Sequence, residues 1–407
     1  MPLSAGLFGT DRSTPLSRAD FPFAYGKTTL DNCWETIVPD YCKGPDILYA
    51  DGVLHAGTPA WVPRRLADLR TVYADTTHFS NADMAPFAPL LGQRWQVLPL
   101  EADPPAHSRY RTVLNPAFTP KAIERLDEKM RHAARGHALA LRHAKRCDFM
   151  AAFSLKFPIL VFLELMGMPQ SMAPQFLDWE HGLLHSQELD TLAAATREVV
   201  RYLQGVIEER KHRPGEDLIS HAVSSRIAGE SALSDDELLG ICFNLFIGGL
   251  DSVSTNMGWQ CFHLATHPID QRRLREDPGL IPAAVDELQR YYAAVTTYRR
   301  CTQPFEIAGV TIQPGEYVAM STTVAGRDDR AYSNPNVVDL DRRPRHVAFG
   351  YGPHACLGLH LARREMRIAL QEFLLAIPEF HLAADAPIQT LLHSTIQPMS
   401  VPIEWAV

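Results

Sequence analysis

The chain has 407 residues, 46% hydrophobic and 21% charged, with a formal net charge of −8. These are globular values with material for a large core, and the acidic balance argues against nucleic acid as a partner. The cysteines at 33, 42, 147, 242, 261, 301 and 356 are odd in number, widely spaced and lack a C-x-x-C pair, so neither a disulfide framework nor a zinc ribbon fits.

The opening stretch MPLSAGLFGTDRST lacks the basic segment and apolar run of a signal peptide. The most apolar stretches, Phe157–Met166 and Ile241–Leu250, fall short of the about 18 residues that span a bilayer. A cytoplasmic protein without a membrane segment is expected. No repeat, low-complexity tract or Gly/Ser linker divides the chain, so a single domain over 1–407 is expected. Segments 63–78, 119–145, 150–166 and 191–211 read as helices. Segment 80–106, with five prolines and little periodicity, reads as a long loop of the kind that carries function. Ser234-Asp-Asp-Glu237 is a capping box, and His267-Pro268 reads as a stop. The helix between them would be roughly 30 residues and about 45 Å long, enough to cross the molecule. Another helix covers 280–292. Phe305–Val318 alternates around Gln313-Pro-Gly315 as a small hairpin. A last helix begins at or just after Cys356, with Leu357, Leu361, Met366, Leu370, Phe373 and Leu374 along its inner side, and ends before Pro378.

Three constellations carry chemistry. In Phe349-Gly-Tyr-Gly-Pro-His-Ala-Cys356-Leu-Gly358 one cysteine sits among glycines. It is either a buried structural thiol or a thiolate ligand favoured by the start of a helix. Gly350, Gly352 and Gly358 would then let the backbone approach a flat ligand. Gly248 and Gly249 lie within the long helix, where each costs about 1 kcal/mol relative to alanine, and Asp251 and Ser252 follow. That segment is either a close helix contact or a groove opened for a small ligand, with an acid and an alcohol to relay protons. Glu287 and Arg290 share a helical face at i,i+3. They form a solvated pair unless Arg342 joins them as a third charge.

Together these motifs resemble the cytochrome P-450 haem-thiolate monooxygenases of the soluble bacterial type. The cysteine loop matches that family's haem-binding signature, Glu287-x-x-Arg290 with Arg342 its charge triad, and Gly248-Gly-Leu-Asp251-Ser252 its oxygen-activation motif. Asp103-Pro-Pro-Ala-His107-Ser-Arg-Tyr-Arg111 matches its propionate-binding helix. Leu-Ile-Pro-Ala-Ala near 280 and His-Leu-Ala-Arg-Arg-Glu at 360–365 bring the camphor-hydroxylase group nearest.

The resemblance implies a mainly α fold with a long central helix over the haem and small β-sheets. It implies haem b with Cys356 as the metal ligand, Phe349 and Gly358 in the haem-binding loop, and His107, Arg111, Arg299 and His354 on the propionates. Asp251 and Ser252 would manage protons, with serine replacing the commoner threonine and giving up the methyl that stiffens χ1. Phe87, Trp95, Asn244, Ile247, Gly248, Val295, Thr296 and Thr395 would line the substrate pocket. With Trp95 near the camphor hydroxylase's substrate-binding tyrosine, camphor itself is not expected. The expected substrate is a compact apolar molecule with one oxygen, a terpenoid or norisoprenoid. A small oxygenated aromatic, hydroxylated or demethylated, is the alternative. O2 is the oxidant, and a [2Fe-2S] ferredoxin with a separate NAD(P)H reductase would supply electrons to a monomer. Arg109, Arg342, Arg343 and Arg345 would form the ferredoxin's docking patch. A peroxide-driven enzyme and a haem-binding sensor or carrier are the competing readings.

Overall fold

Ser234 starts the longest element. Its hydroxyl accepts from the Glu237 amide, and the Glu237 carboxylate accepts from the Ser234 amide at 2.7 Å. Two of the donors that a helix start leaves open are thereby paired. The helix then runs unbroken from Asp235 to Thr266 in the computed structural model, which describes residues 15–17, 23, 33–54, 57–186, 188–226, 232–384, 388–392 and 394–406. The N-terminal stretch read for a signal peptide, 1–14, lies outside them.

A helix that is apolar nearly all round belongs in a core. Helices Lys156–Leu165, Leu189–His212, Ile281–Tyr291 and Leu359–Ala376 pack around this one. Among the described residues it alone is long and apolar enough to cross a membrane, but 67% of its most apolar window is buried inside the protein. The apolar run read in the sequence, Ile241–Leu250, is thus only part of a longer one. His267-Pro268 is the stop expected: the helix ends at Thr266 with His267 as its cap. Pro268 opens the next helix, Pro268–Glu276, at the position where a missing N–H costs nothing.

The other helical readings hold in outline. Segment 63–78 contains Leu66–Ala74, 119–145 divides into Pro120–Glu124 and Asp127–Leu141, and a π-helical turn at Met150–Ser154 precedes Lys156–Leu165. Helix Ala173–Leu184 went unread, although Pro174 in its first turn is where proline favours a helix start. The Phe305–Val318 hairpin turns earlier than expected. Phe305–Ile307 pairs with Val310–Ile312 around Ala308 and Gly309, both at positive φ (50° and 81°), as a two-residue hairpin turn requires. Gln313-Pro-Gly315 instead leads into the strand Tyr317–Ser321.

That strand lies inside a five-stranded sheet ordered Ile47–Ala50, Ala60–Pro63, Tyr317–Ser321, Thr296–Cys301, Phe79–Ser80. The Thr390–Leu392/Ile396–Pro398 hairpin approaches the start of the fourth strand, where Val295 and Thr395 form a bridge. Segment 80–106 is indeed mostly loop up to the helix Ala106–Leu114, with one short helix, Phe87–Leu90. Glu101 closes it by accepting the Ala85 and Val97 amides at 2.7 and 2.8 Å. Leu98 donates to the Gly240 carbonyl at 3.2 Å, and a Cβ at Gly240 would come within 2.0 Å of the Gln96 oxygen. Only glycine permits that contact.

Glu287 and Arg290 are fully buried and joined by two hydrogen bonds of 2.7 and 2.8 Å, with Arg342 3.1 Å from Glu287. The solvated alternative is thereby ruled out. Arg290 also donates to the carbonyls of Gly326, Pro335 and Val337, which fixes the approach to the cysteine loop.

Candidate active site

The cysteine loop folds on itself through Cys356 N–H to Phe349 O at 2.8 Å and Ala355 N–H to Gly352 O at 3.0 Å. Gly350 and Gly352 have φ near +70°, which disfavours any residue with a Cβ. A Cβ on Gly352 would also meet the Tyr73 carbonyl at 2.8 Å. Gly350 and Gly352 therefore answer to the turn, and Gly352 also to the neighbouring Leu66–Ala74 helix, whereas a Cβ on Gly358 would meet only Cys356 Sγ, at 4.0 Å. The last helix starts at Leu359 with Gly358 as its cap. Burial holds the Cys356 thiol above its ordinary range, opposed by the Gly358 N–H and the guanidiniums of Arg111 and Arg363. The Arg363 guanidinium lies 4.9 Å from the Phe349 ring centre.

Beside the loop lies a cluster of bases, His107 and Arg299 buried and Arg111 and His354 half-buried. The His107 and His354 rings are 4.1 Å apart. Arg111 donates to the Ala355 carbonyl at 2.8 Å. Arg299, 5% exposed, rests 5.5 Å from the Tyr73 ring centre. Asn81 holds His354 Nδ1 at 3.2 Å, while His354 Nε2 is buried with no partner among the described residues. Burial first, then the adjacent guanidiniums, push His107 down to about 4 and His354 to about 3. Burial likewise brings Arg299 to about 10. Among the described residues no carboxylate forms an ion pair with Arg111 or Arg299, and Asp103 is already bonded to Ser80 and Asn81. Buried cations without counter-charge are costly. The cluster fits a ligand bearing two carboxylates beside a thiolate-bound metal, as haem b does.

The middle of the central helix holds the second group. Asp251 accepts from Thr395 Oγ1 at 2.9 Å and Gln397 Nε2 at 3.0 Å. Burial raises its pKa to about 6, with His185 opposing and Glu180 adding to the rise. Ser252 does not bond to it. The Ser252 carbonyl accepts from Asn256 at 2.6 Å, and among the described residues its hydroxyl has no partner. Gly248 is exposed, and a Cβ there would meet nothing within 4 Å, whereas one on Gly249 would press on Phe162 at 3.0 Å. The groove and packing readings thus each describe one glycine.

Of the proposed pocket residues, Phe87 and Trp95 pack on the Phe243 ring at 5.0 and 4.9 Å. The Trp95 indole N–H donates to Gln93 at 2.7 Å. Half-buried Asn244 makes no side-chain hydrogen bond among the described residues, and half-buried Ile247 follows on the same helix. Thr296 donates its amide to the Ser394 carbonyl at 2.8 Å. The Thr395 hydroxyl is used on Asp251. Strand Thr296–Cys301 joins the two groups, with Val295 just before it, Thr296 at its start and Arg299 further along. Sequence reasoning missed Asn81, Tyr73, Gln397, Glu180 and His185, all brought in by tertiary packing. A period-2 reading from Thr395 could have found Gln397.

The docking patch is altered. Arg109 pairs with Glu237 beneath the capping box, and Arg342 with Glu287. Arg343 and Arg345 remain exposed.

A family model described as "Cytochrome P450" matches residues 159–278 and 279–388. The chain is 37% identical to a probable cytochrome P450 127A1 of Sinorhizobium fredii, covering 83% of this chain and 82% of the relative. It is 31% identical to a pentalenic acid synthase of Streptomyces avermitilis, covering 86% and 90%. Among solved structures it is similar to cytochrome P450 CYP101C1, with a TM-score of 0.82, 31% identity and coverage of 92% and 94%. The corresponding values for CYP101J2 are 0.83, 28%, 95% and 97%.

Proposed function

The chain belongs to the cytochrome P450 family, and from that premise we propose that it hydroxylates a compact apolar molecule carrying one oxygen, terpenoid or norisoprenoid. Family and fold together imply haem b as cofactor, and the activity class is that of a monooxygenase, which needs O2 and electrons from a redox partner.

Cys356 would hold the iron. His107, Arg111, Arg299 and His354 would hold the propionates, and Phe349 and Gly358 would frame the thiolate. Bound there, haem b supplies the oxygen-activating chemistry. The protein's own part is orientation and proton supply. Asp251, near neutrality and fixed by Thr395 and Gln397, is suited to give up a proton, and the Ser252 hydroxyl, unbonded, is available to carry one onward. Phe87 and Trp95, backed by the fully buried Phe243 ring, would present an aromatic wall, and the Asn244 amide can bond the substrate's single oxygen. The aromatic wall also favours a small oxygenated aromatic as the second reading. We take the electron donor to be a [2Fe-2S] ferredoxin docking near Arg343 and Arg345.

The observation that carries this reading is the base cluster beside the Cys356 loop, whose buried His354 Nε2 has no partner among the described residues. Cys356→Ala is expected to abolish the thiolate-type spectrum of the reduced CO complex. Persistence of that spectrum would refute the ligand assignment. A spin-state screen of oxygenated terpenoids, their parent hydrocarbons and small aromatics should place the oxygenated terpenoids tightest. Tighter binding of aromatics would move the choice to the second reading.

A further inference from the structure

Glu180 on helix Ala173–Leu184 and Asp251 on the central helix are buried acids that meet around one imidazole. His185 Nε2 lies 3.1 Å from Glu180 Oε1 and 3.5 Å from Asp251 Oδ1. The three side chains are 4–7% exposed, and one ligand-type atom of each lies within 4.8 Å of the other two. The shorter separation is a hydrogen bond, but the longer one is too long for a good one. Both suit ligands of a single ion. At metal–ligand distances of about 2.0–2.2 Å, tetrahedral ligand atoms stand about 3.3–3.6 Å apart.

Charge points the same way. Among the described residues His185 is the only cationic partner of either acid, and an imidazolium offsets only one of two buried negative charges. Incomplete compensation of buried charge is costly. A divalent ion offsets both and leaves the imidazole neutral, the form that ligates. The Asp251 carboxylate is already oriented, with Gln397 Nε2 on Oδ1 at 3.0 Å and Thr395 Oγ1 on Oδ2 at 2.9 Å. Outer partners of this kind commonly steer metal-binding carboxylates. Thr255 Oγ1, fully buried one turn along the central helix, has no hydrogen-bond partner among the described residues, yet it lies close enough to favour the charged carboxylate.

We propose that Glu180, His185 and Asp251 form a site for one divalent transition-metal ion of the zinc type, held by one imidazole nitrogen and two carboxylate oxygens. The nitrogen ligand favours Zn2+ over Mg2+ and Ca2+, which prefer oxygen alone. Three protein ligands leave the fourth position to water. The proton that Nε2 shares with Glu180 leaves as the ion enters. The exposed His181 ring stacks on His185 at 5.6 Å, so the site lies one ring away from solvent. The ion would pin helix Ala173–Leu184 to the central helix and occupy the Asp251 carboxylate. Zn2+ is thereby an inhibitor of turnover, a consequence that rests on the monooxygenase reading above; the binding itself does not.

Haem-loaded protein, free of any purification tag, is titrated calorimetrically with Zn2+ alone. One equivalent should bind tightly, and Mg2+ at the same concentrations should not. His185→Gln and Glu180→Gln should each weaken that equivalent by more than about 100-fold, beyond the roughly 10–100-fold that losing an outer partner costs. Gln397→Leu should fall within that lower range. No tight equivalent, or losses below about 10-fold in both ligand variants, would overturn the proposal. Zinc-edge X-ray absorption of the wild-type complex decides without any variant. Nitrogen and oxygen at about 2.0–2.2 Å with an imidazole pattern are expected, and a sulfur shell at about 2.3 Å would overturn the site. The reduced CO spectrum separates the two readings. If it lacks the thiolate type before zinc is added, the monooxygenase reading fails, and calorimetry and absorption alone judge the site. With that spectrum present, Zn2+ should inhibit wild-type turnover at concentrations about 100-fold lower than for Glu180→Gln. Equal inhibition of both would overturn the inhibitory consequence.

Discussion

Asn244 is a primary amide on a helix otherwise built at that point from Phe243, Leu245, Phe246 and Ile247. A neighbouring carbonyl was one possible partner. The structure supplies none among the described residues, which leaves the substrate's oxygen as the partner we propose. Asn244→Leu should weaken oxygenated ligands by about 2- to 13-fold, the worth of a net hydrogen bond of about 0.5–1.5 kcal/mol. Matched hydrocarbons should bind as well or better. Titrating both ligand classes by the ferric spin-state change decides the matter, and equal losses would return Asn244 to a structural role. Ser252 is the companion case. Its hydroxyl samples more rotamers than threonine's would, so Ser252→Thr is expected to raise product formed per NAD(P)H consumed. An unchanged ratio would show that the missing methyl is immaterial here.

The central helix shows how much of an element is local. Its start was legible because capping is a four-residue affair, and Ser234→Ala should cost about 1 kcal/mol, read as a lower denaturation midpoint. Glu237 also receives Arg109 and Tyr110, so Glu237→Ala should cost more than the serine change; a smaller loss would mean those contacts contribute nothing. The Glu287–Arg290 pair was legible as a motif but not as a buried one. Nothing in i,i+3 spacing says that Gly326, Pro335 and Val337 will offer their carbonyls. Glu287→Ala, leaving Arg290 buried and uncompensated, should destabilise by about 3–5 kcal/mol; a loss below 1 kcal/mol in the denaturation curve would contradict the burial. The same limit explains the site. The cysteine loop, Asp251 and His107 carry signatures along the chain, whereas Asn81 on His354 joins segments far apart in sequence, where periodicity carries no information. The hairpin turn was misplaced because Pro-Gly outweighed the quieter Ala308-Gly309, whose positive φ values only the folded backbone reveals.

At the scale of the whole molecule, charges near the cysteine loop divide into those that build and those that face outward. Arg109 and Arg342 belong to the frame, so reversing Arg343 and Arg345 together is the cleaner probe of docking. The double Glu variant should slow ferredoxin-driven turnover and flatten its salt dependence while leaving substrate binding alone. If turnover and salt response are unchanged, the partner docks elsewhere. A different division concerns the loop that we propose as the pocket wall. Glu101 ties the Ala85 and Val97 amides together, and the Leu98–Gly240 contact seats that knot one helical turn before Asn244. Everything between 86 and 96 is thus an excursion with both ends anchored, and Phe87 and Trp95 lie within it. Replacing residues inside that excursion would remould the proposed pocket wall without loosening the cysteine loop, whose own hydrogen bonds close it independently.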